Sequence, residues 1–511
     1  MSHNAVHERT DPEHPSEHPA DKGLAKGAVG VLGLVVIGIS TIAPAYTLTA
    51  ALGPTVAEVG THLPAIFLAG FVPMLLVALG YRELNNRMPD AGTTFTWATR
   101  AFGPWVGWMG GWGLIAATVI VLSNLAAVAV DFLYLMLAQV TGNDAIADLT
   151  TNLWVNIPTT LAFLALAVWV SYRGVQTTMT VQYVLVAFQV IVLLVFAVAG
   201  FVHLARGSAF DPTPPQLEWF NPFGVGDLTT FTAGVSLSIF IFWGWDVTLT
   251  MNEETKDPAR TPGRGSTLTV LVVMALYLLV ALSTIAFAGV GTTGLGAGNP
   301  ENQESIFAVL AGPVLGPLAF VMSLAILTSS ASSLQSTMVG PARTLLSMGF
   351  YRALPESFGR VSPRFKSPSV ATFVSGAAAG VFYVVTRLLS ENALWDTITA
   401  LGMMVCFYYG ITAVACVWFF RREALESVRS FVLKLLCPLV GGVVLLAMFL
   451  KTAVDSMDPS YGSGSSIGGV GMVFVLGVSI IGIGLLLMAY QAWRRPEFFR
   501  RGIPAPAAEG R

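Results

Sequence analysis

Two short stretches of this 511-residue chain hold polar and helix-weakening residues where neither is expected. One is Gly38-Ile39-Ser40-Thr41-Ile42-Ala43-Pro44; the other is Phe240-Ile241-Phe242-Trp243-Gly244-Trp245-Asp246. Each sits near the middle of an apolar run. Pro44 has no N–H to give, and its ring clashes with the preceding turn, so a helix is predicted to unwind just before it. Gly244 accepts backbone angles that other residues avoid. An interrupted helix bares peptide N–H groups at the start of one half and carbonyls at the end of the other, and these ends attract anions and cations respectively. The chemistry is that of gripping a zwitterion without reacting with it. The aromatic faces of Phe240, Trp243 and Trp245 add attraction for a cation or cover for a side chain. Packing against other helices explains any one of them equally well.

Asp246 is the sharpest single residue. A carboxylate inside an apolar span is costly unless it lines a cavity or finds a partner. It is therefore expected to respond to protons, to meet a cationic solute, or to close the broken helix with a hydrogen bond. Asp131, in the outer part of another run, is a weaker candidate, and an interfacial role is its plainer reading. Polar residues also gather at Thr328-Ser329-Ser330-Ala331-Ser332-Ser333, with Asn124 and Gln189 in other runs. Hydroxyls and amides coordinate Na⁺ or join neighbouring helices, and joining helices is the commoner use.

The elements that must position these groups are legible from composition. The chain is 54% hydrophobic and 11% charged, against roughly 25% charged in an ordinary soluble domain. Apolar runs long enough to cross a bilayer recur along nearly its whole length. Twelve are expected: Ala28 to Leu52, Pro64 to Tyr81, Val106 to Leu137, Trp154 to Val170, Val181 to His203, Phe231 to Thr250, Leu268 to Val290, Gly312 to Ser333, Val370 to Val385, Leu394 to Phe420, Val432 to Leu450 and Gly471 to Tyr490. The two weak stretches fall in the first and sixth runs, five apart, as an inverted repeat of five plus five helices requires. The expected organisation is a polar tail at 1–26, a membrane domain at 27–492 and a tail at 493–511. Within the membrane domain the repeats are 27–203 and 229–420, with two added helices at 431–492.

Lys and Arg collect on the cytoplasmic side of short loops. With the N-terminus inside, all but Arg206, Arg387 and Lys451 of the 27 basic residues lie inside, so both termini are expected in the cytoplasm of a multi-pass cell-membrane protein. The net charge of −2 is sorted by side and is not gathered into a nucleic-acid-binding face. Cys406, Cys416 and Cys437 sit in or beside apolar runs without metal-ligand spacing and read as packing residues. His3, His7, His14 and His18 lie in the N-terminal tail, with no packing to fix a metal geometry. Neither a metal nor a cofactor is expected. The chain lacks a G-x-x-x-x-G-K-[ST] run to cradle ATP and an H-E-x-x-H pair for membrane-embedded hydrolysis. It also has no ring-forming filter motif of a channel. Transport would then draw on a gradient or on exchange.

Three segments resemble the amino acid-polyamine-organocation permease superfamily. The first is Glu83-Leu84 with Pro89-Asp90-Ala91-Gly92-Thr93-Thr94-Phe95-Thr96-Trp97, Phe102-Gly103-Pro104-Trp105 and Gly107-Trp108, similar to a re-entrant segment between the second and third spans. The second is Gly244-Trp245-Asp246 leading to Glu253-Glu254-Thr255-Lys256-Asp257-Pro258-Ala259-Arg260-Thr261-Pro262. The third runs from Arg343 through Ala353-Leu354-Pro355 to Ser367-Pro368, similar to the loop after the eighth span. The resemblance implies an all-α fold of about twelve transmembrane helices, the five-plus-five leucine-transporter-like fold, working by alternating access.

By position, the resemblance also implies that Ser40, Thr41 and Ile42, beside Gly38, face the carboxylate of a solute. The carbonyls of Phe240, Ile241 and Trp243, beside Gly244 and Asp246, would face its amine. Several proton-coupled members carry Lys in the fifth span in the place of a sodium ion, where this chain has Gln189, a departure from Lys-based proton coupling. Gln189, Ser329, Ser330 and Ser333 are the candidate coupling or ion site for H⁺ or Na⁺, the serines leaving either a sodium site or a bound-water arrangement. Many members open the first break with Gly-Ser-Gly, where this chain has Gly38-Ile39-Ser40-Thr41. The expected partners are a small solute, an amino acid or a polyamine, and the lipid bilayer. An amino acid permease running by proton symport or exchange is the leading expectation, with an organocation importer as its alternative.

Overall fold

The computed structural model describes residues 21–389, 393–461 and 463–503. Ten helical stretches among them are long and apolar enough to cross a membrane. The first of these, Val31–Arg87, is 57 residues long and folds back on itself, so it supplies two crossings. A broken helix too short to be counted among the ten supplies one more, which restores the twelve crossings expected.

The first span is two half-helices, Val31–Ile42 and Pro44–Val59, and the second is Leu63–Arg87. The third to fifth are Pro104–Thr141, Leu153–Tyr172 and Val175–Ala205. The sixth is broken into Leu228–Ile241 and Val247–Thr250. Then follow Thr261–Ala288, Ala319–Thr337 continued by Val339–Phe350, Ser369–Leu389, Ala393–Phe420, Val428–Asp455 and Met472–Arg494. The eighth span therefore runs well past Ser333. Arg343, expected in the loop beyond it, lies inside the helix, where its charge is neutralised by Glu254 at 2.6 Å.

Packing sorts the spans into two groups. The first, second, sixth and seventh contact one another, and the third, fourth, eighth and ninth do the same. A short helix, Thr94–Phe102, lies between the second and third spans, and another, Ile306–Leu315, lies between the seventh and eighth. These are equivalent places in two five-helix repeats, on opposite faces, as inversion demands.

One face carries both ends of the described chain and is called the terminal face below. Residues 1–20 and 504–511 of the expected tails, with all four tail histidines, lie outside the described residues. The parts of the tails that are described pack against the domain. Lys22 and Leu24 are buried, and of the helix Pro496–Arg501 Phe498 stacks on Phe95 and Phe499 packs tilted against Trp105, at centroid distances of 5.7 and 4.8 Å. Burial of these apolar rings against the start of the third span is what holds the C-terminal helix.

Asp131 is a brace. It accepts a 3.3 Å hydrogen bond from Asn156 Nδ2, and the Tyr383 hydroxyl donates to Asn156 Oδ1. The third, fourth and ninth spans are thereby joined through polar groups that would be costly in hydrocarbon if left alone.

Candidate functional site

The first span breaks at a single residue. Ala43 adopts φ 57° and ψ 64°, the left-handed region, and Pro44 opens the second half-helix. A non-glycine residue held in this conformation is strained and persists only where its surroundings enforce it. The sixth span stops at Ile241 and resumes at Val247, with Gly244 at φ +112° between. The two breaks touch. A Cβ added at Gly244 would stand 2.9 Å from Thr41 Cγ2 and 3.3 Å from the Ile42 amide nitrogen. Glycine is required there both for its backbone angle and for this approach.

Breaking a helix frees peptide groups that something must satisfy. The eighth span does much of this for the first. Ser329, Ser333 and Ser336 stand at i, i+4 and i+7, on one face of their helix. The Ser333 hydroxyl donates to the Thr41 carbonyl at 2.9 Å, and the Tyr46 amide donates to Ser329 Oγ at 3.4 Å. One serine thus caps the end of the first half-helix and another the start of the second. Ser336 Oγ lies 3.0 Å from Ser40 Oγ. Interhelical bonding therefore accounts for part of the serine run. Ser330 Oγ, by contrast, is buried without a partner, and so are both amide atoms of Gln189, whose side chain is fully enclosed.

The remaining candidates fall in several environments. Gly38 lies inside a continuous helix, and a Cβ there would meet Thr269 Oγ1 at 2.4 Å, so its bareness serves close packing on the seventh span. Thr41 directs its hydroxyl to its own Ile37 carbonyl at 2.8 Å. Ile42 is buried at the end of the first half-helix. The Phe240 side chain is buried, and its carbonyl accepts from the Trp243 amide at 3.0 Å. The Ile241 carbonyl accepts from the Tyr277 hydroxyl at 3.0 Å, and the same hydroxyl lies 2.5 Å from Thr47 Oγ1.

Asp246 faces the tenth span. Tyr409 donates to its Oδ1 at 2.8 Å and Tyr408 to its Oδ2 at 3.1 Å. Tyr408 in turn accepts from Trp243 Nε1 at 2.6 Å. Tyr81 and Tyr409 enclose the same place with Trp245, their rings 5.0 Å from its ring. Among the described residues Asp246 forms no ion pair. Tyr408, Tyr409, Tyr277 and Ser336 were not among the sequence candidates. Adjacent tyrosines in the middle of an apolar run, with two hydroxyls that need partners, are the signal that marks the first two.

The arrangement is a pair of apposed helix breaks enclosed by aromatic rings, with one carboxylate and several hydroxyls at hand. Among the described residues no nucleophile and base are paired at the breaks. Comparisons with known proteins bear directly on this. The family model described as amino acid permease matches residues 29–475. The low-affinity putrescine importer PlaP of Escherichia coli is 25% identical over 483 residues, covering 92% of this chain and 94% of PlaP. The branched-chain amino acid permease BcaP of Lactococcus lactis is 27% identical over 355 residues, covering 66% and 70%. The crystal structure of MhsT in complex with L-phenylalanine superposes with a TM-score of 0.58 at 15% identity, covering 84% of this chain and 99% of MhsT, a likeness of fold. With its motifs, its twelve crossings and a family match spanning most of its length, the chain belongs to the amino acid permease family.

Proposed function

We propose that the chain is a secondary permease that carries an amino acid across the cell membrane by alternating access, as a proton symporter or an exchanger. The observation that carries this reading is the close approach of Gly244 to Thr41 and Ile42, which brings the ends of two broken helices together inside the membrane. A solute carboxylate sits at the N–H end of the second half of the first span. Its amine faces the carbonyl end of the first half of the sixth span, near Phe240 and Trp243. The repeats at 27–203 and 229–420 move relative to one another around this point. The terminal face is cytoplasmic, because it gathers nearly all the basic residues.

The polyamine reading draws on a separate observation, the Asp246 carboxylate set among aromatic rings without an ion pair among the described residues. Such a group suits a cationic solute. The name of PlaP supports that alternative, and the name of BcaP supports the first. Uptake of labelled leucine, alanine, arginine and putrescine into proteoliposomes, under an imposed pH or Na⁺ gradient or none, decides between them. Failure of all four solutes to accumulate or exchange would remove both readings.

A further inference from the structure

Away from the helix breaks, a lysine near the start of the described chain is completely enclosed. The Lys22 side chain is 0% exposed. Its ammonium donates to Asp90 Oδ2 at 2.9 Å and to Glu253 Oε1 at 2.5 Å, and lies 5.4 Å from the ring centroids of both Phe350 and Tyr351. These partners come from three separate places. Asp90 is in the loop after the second span, Glu253 follows the sixth, and Tyr351 closes the eighth. Around the ammonium, Tyr351 donates to Asp90 Oδ2 at 2.5 Å and the Ala91 amide to Glu253 Oε1 at 2.9 Å. A few residues on, the Val29 amide donates to the Glu254 carbonyl at 3.1 Å, and Val29 bridges Thr255 in parallel.

Residues 21–30 therefore lie across the terminal face and tie together the ends of three spans. The sixth span cannot swing away from the second and third at this face without pulling Glu253 off Ala91 and Lys22. The cluster is also unbalanced. It buries one ammonium with two carboxyl groups, and if both were ionised an excess negative charge would be held out of water. Arg100 acts electrostatically on Tyr351, while Asp90 and Glu253 are governed, beyond their burial, chiefly by Lys22, by the donors Tyr351, Gly92 and Ala91 and, for Glu253, by Asp90.

We propose that residues 21–30 form a strap that holds the terminal face closed, with Lys22 as its anchor, and that closing the strap takes up one proton onto the Asp90–Glu253 pair. The strap acts on the path assigned above and in that respect rests on the transporter reading. Its closure can be measured without any solute.

These groups lie beyond the ends of the membrane-crossing helices. Burial pushes the Glu253 carboxyl up to about 7, against the pull of Lys22 and with the push of Asp90. Burial acts on Asp90 in the same sense, yet the Lys22 ammonium and the Tyr351 and Gly92 donors hold that carboxyl below its usual range. The cluster thus settles as one ammonium, one carboxylate and one carboxyl. In the released strap Glu253 is solvated and returns to the ordinary 4.5. The closed form therefore binds more protons than the open form between those two values, and closure weakens as pH rises through that window. Above it both forms are ionised and pH has no further effect.

Hydrogen–deuterium exchange of the full chain in nanodiscs tests this, read on peptides covering 21–30 and 251–255 and corrected for intrinsic exchange. Wild-type protection should fall about tenfold between pH 6 and pH 8, as one raised carboxyl requires. Glu253→Gln, which imitates the protonated carboxyl and leaves the Lys22–Asp90 pair, should stay protected at both pH values. Lys22→Gln should lose protection in both peptides at both, while peptides in the third and eighth spans stay as protected as in wild type and report an intact fold. Two results would overturn the strap: equal exchange of 21–30 in wild type and Lys22→Gln, or a pH dependence that persists in Glu253→Gln. A wild type that shows the expected protection but transports no solute would count against the permease reading alone.

Discussion

Trp243 Nε1 donates to the Tyr408 hydroxyl at 2.6 Å, and because an indole can only donate, the Tyr408 proton is committed to Asp246. A one-way chain thus runs from the break in the sixth span, through the tenth, and back to the carboxylate three residues further along. Tyr408→Phe keeps the ring and removes the link, leaving a buried indole N–H unpaired at about 1–3 kcal/mol. The expected result is a KM raised by about fivefold or more, with kcat changed less. Tyr409→Phe leaves Trp243 bonded and should move KM less. Initial-rate uptake by the two variants checks this, and equal effects would count against the chain.

Asp246 separates the two solute classes. Asp246→Asn keeps the shape and one acceptor oxygen but removes the charge. If the carboxylate offsets a cationic solute, uptake of arginine and putrescine should fall at least tenfold while leucine and alanine are spared. A uniform loss would assign Asp246 to the coupling step or to the architecture of the break.

Gly244→Ala should abolish transport with only modest loss of fold. The new methyl would stand 2.9 Å from Thr41, on a backbone at φ +112°, where side-chain-bearing residues cost about 1–3 kcal/mol. A thermal midpoint lowered by a few degrees with uptake near background is the expected pair of readings. Wild-type uptake would mean that the two breaks separate freely.

Gln189 buries an amide with no partner for either atom, a desolvation cost of about 1–3 kcal/mol in the resting protein. Gln189→Met should therefore raise the thermal midpoint. If the amide serves the coupling ion with Ser330, uptake driven by a pH or Na⁺ gradient should fall in the same variant while counterflow exchange persists. A lower midpoint would show that the amide is satisfied in the working protein.

The Ser333 hydroxyl caps the Thr41 carbonyl from another helix. Ser333→Ala should destabilise by about 1–3 kcal/mol, whereas Ser333→Thr, which restores a hydroxyl, should recover most of it. Thermal unfolding of the three proteins side by side checks this. Sodium protection of wild type but not of Ser333→Ala would add an ion to the role of the cap.

What the sequence determined by itself was whatever depends on neighbours along the chain. Twelve crossings follow from run length against bilayer thickness, and the breaks at Ala43 and Gly244 follow from what Pro44 and a mid-span glycine do to a helix locally. Even there the reading fell short, because Arg343 lies inside its helix with its charge paired to Glu254, a residue 89 positions away. Only the tertiary structure decided which partner each polar side chain meets. Thr269 presses on Gly38, Ser333 donates to the Thr41 carbonyl left open by the break, and Asp90 and Glu253 converge on Lys22. The physical reason is the same in each case. Inside a membrane a polar group must find its partner within the protein, and that partner is chosen by which helices lie side by side.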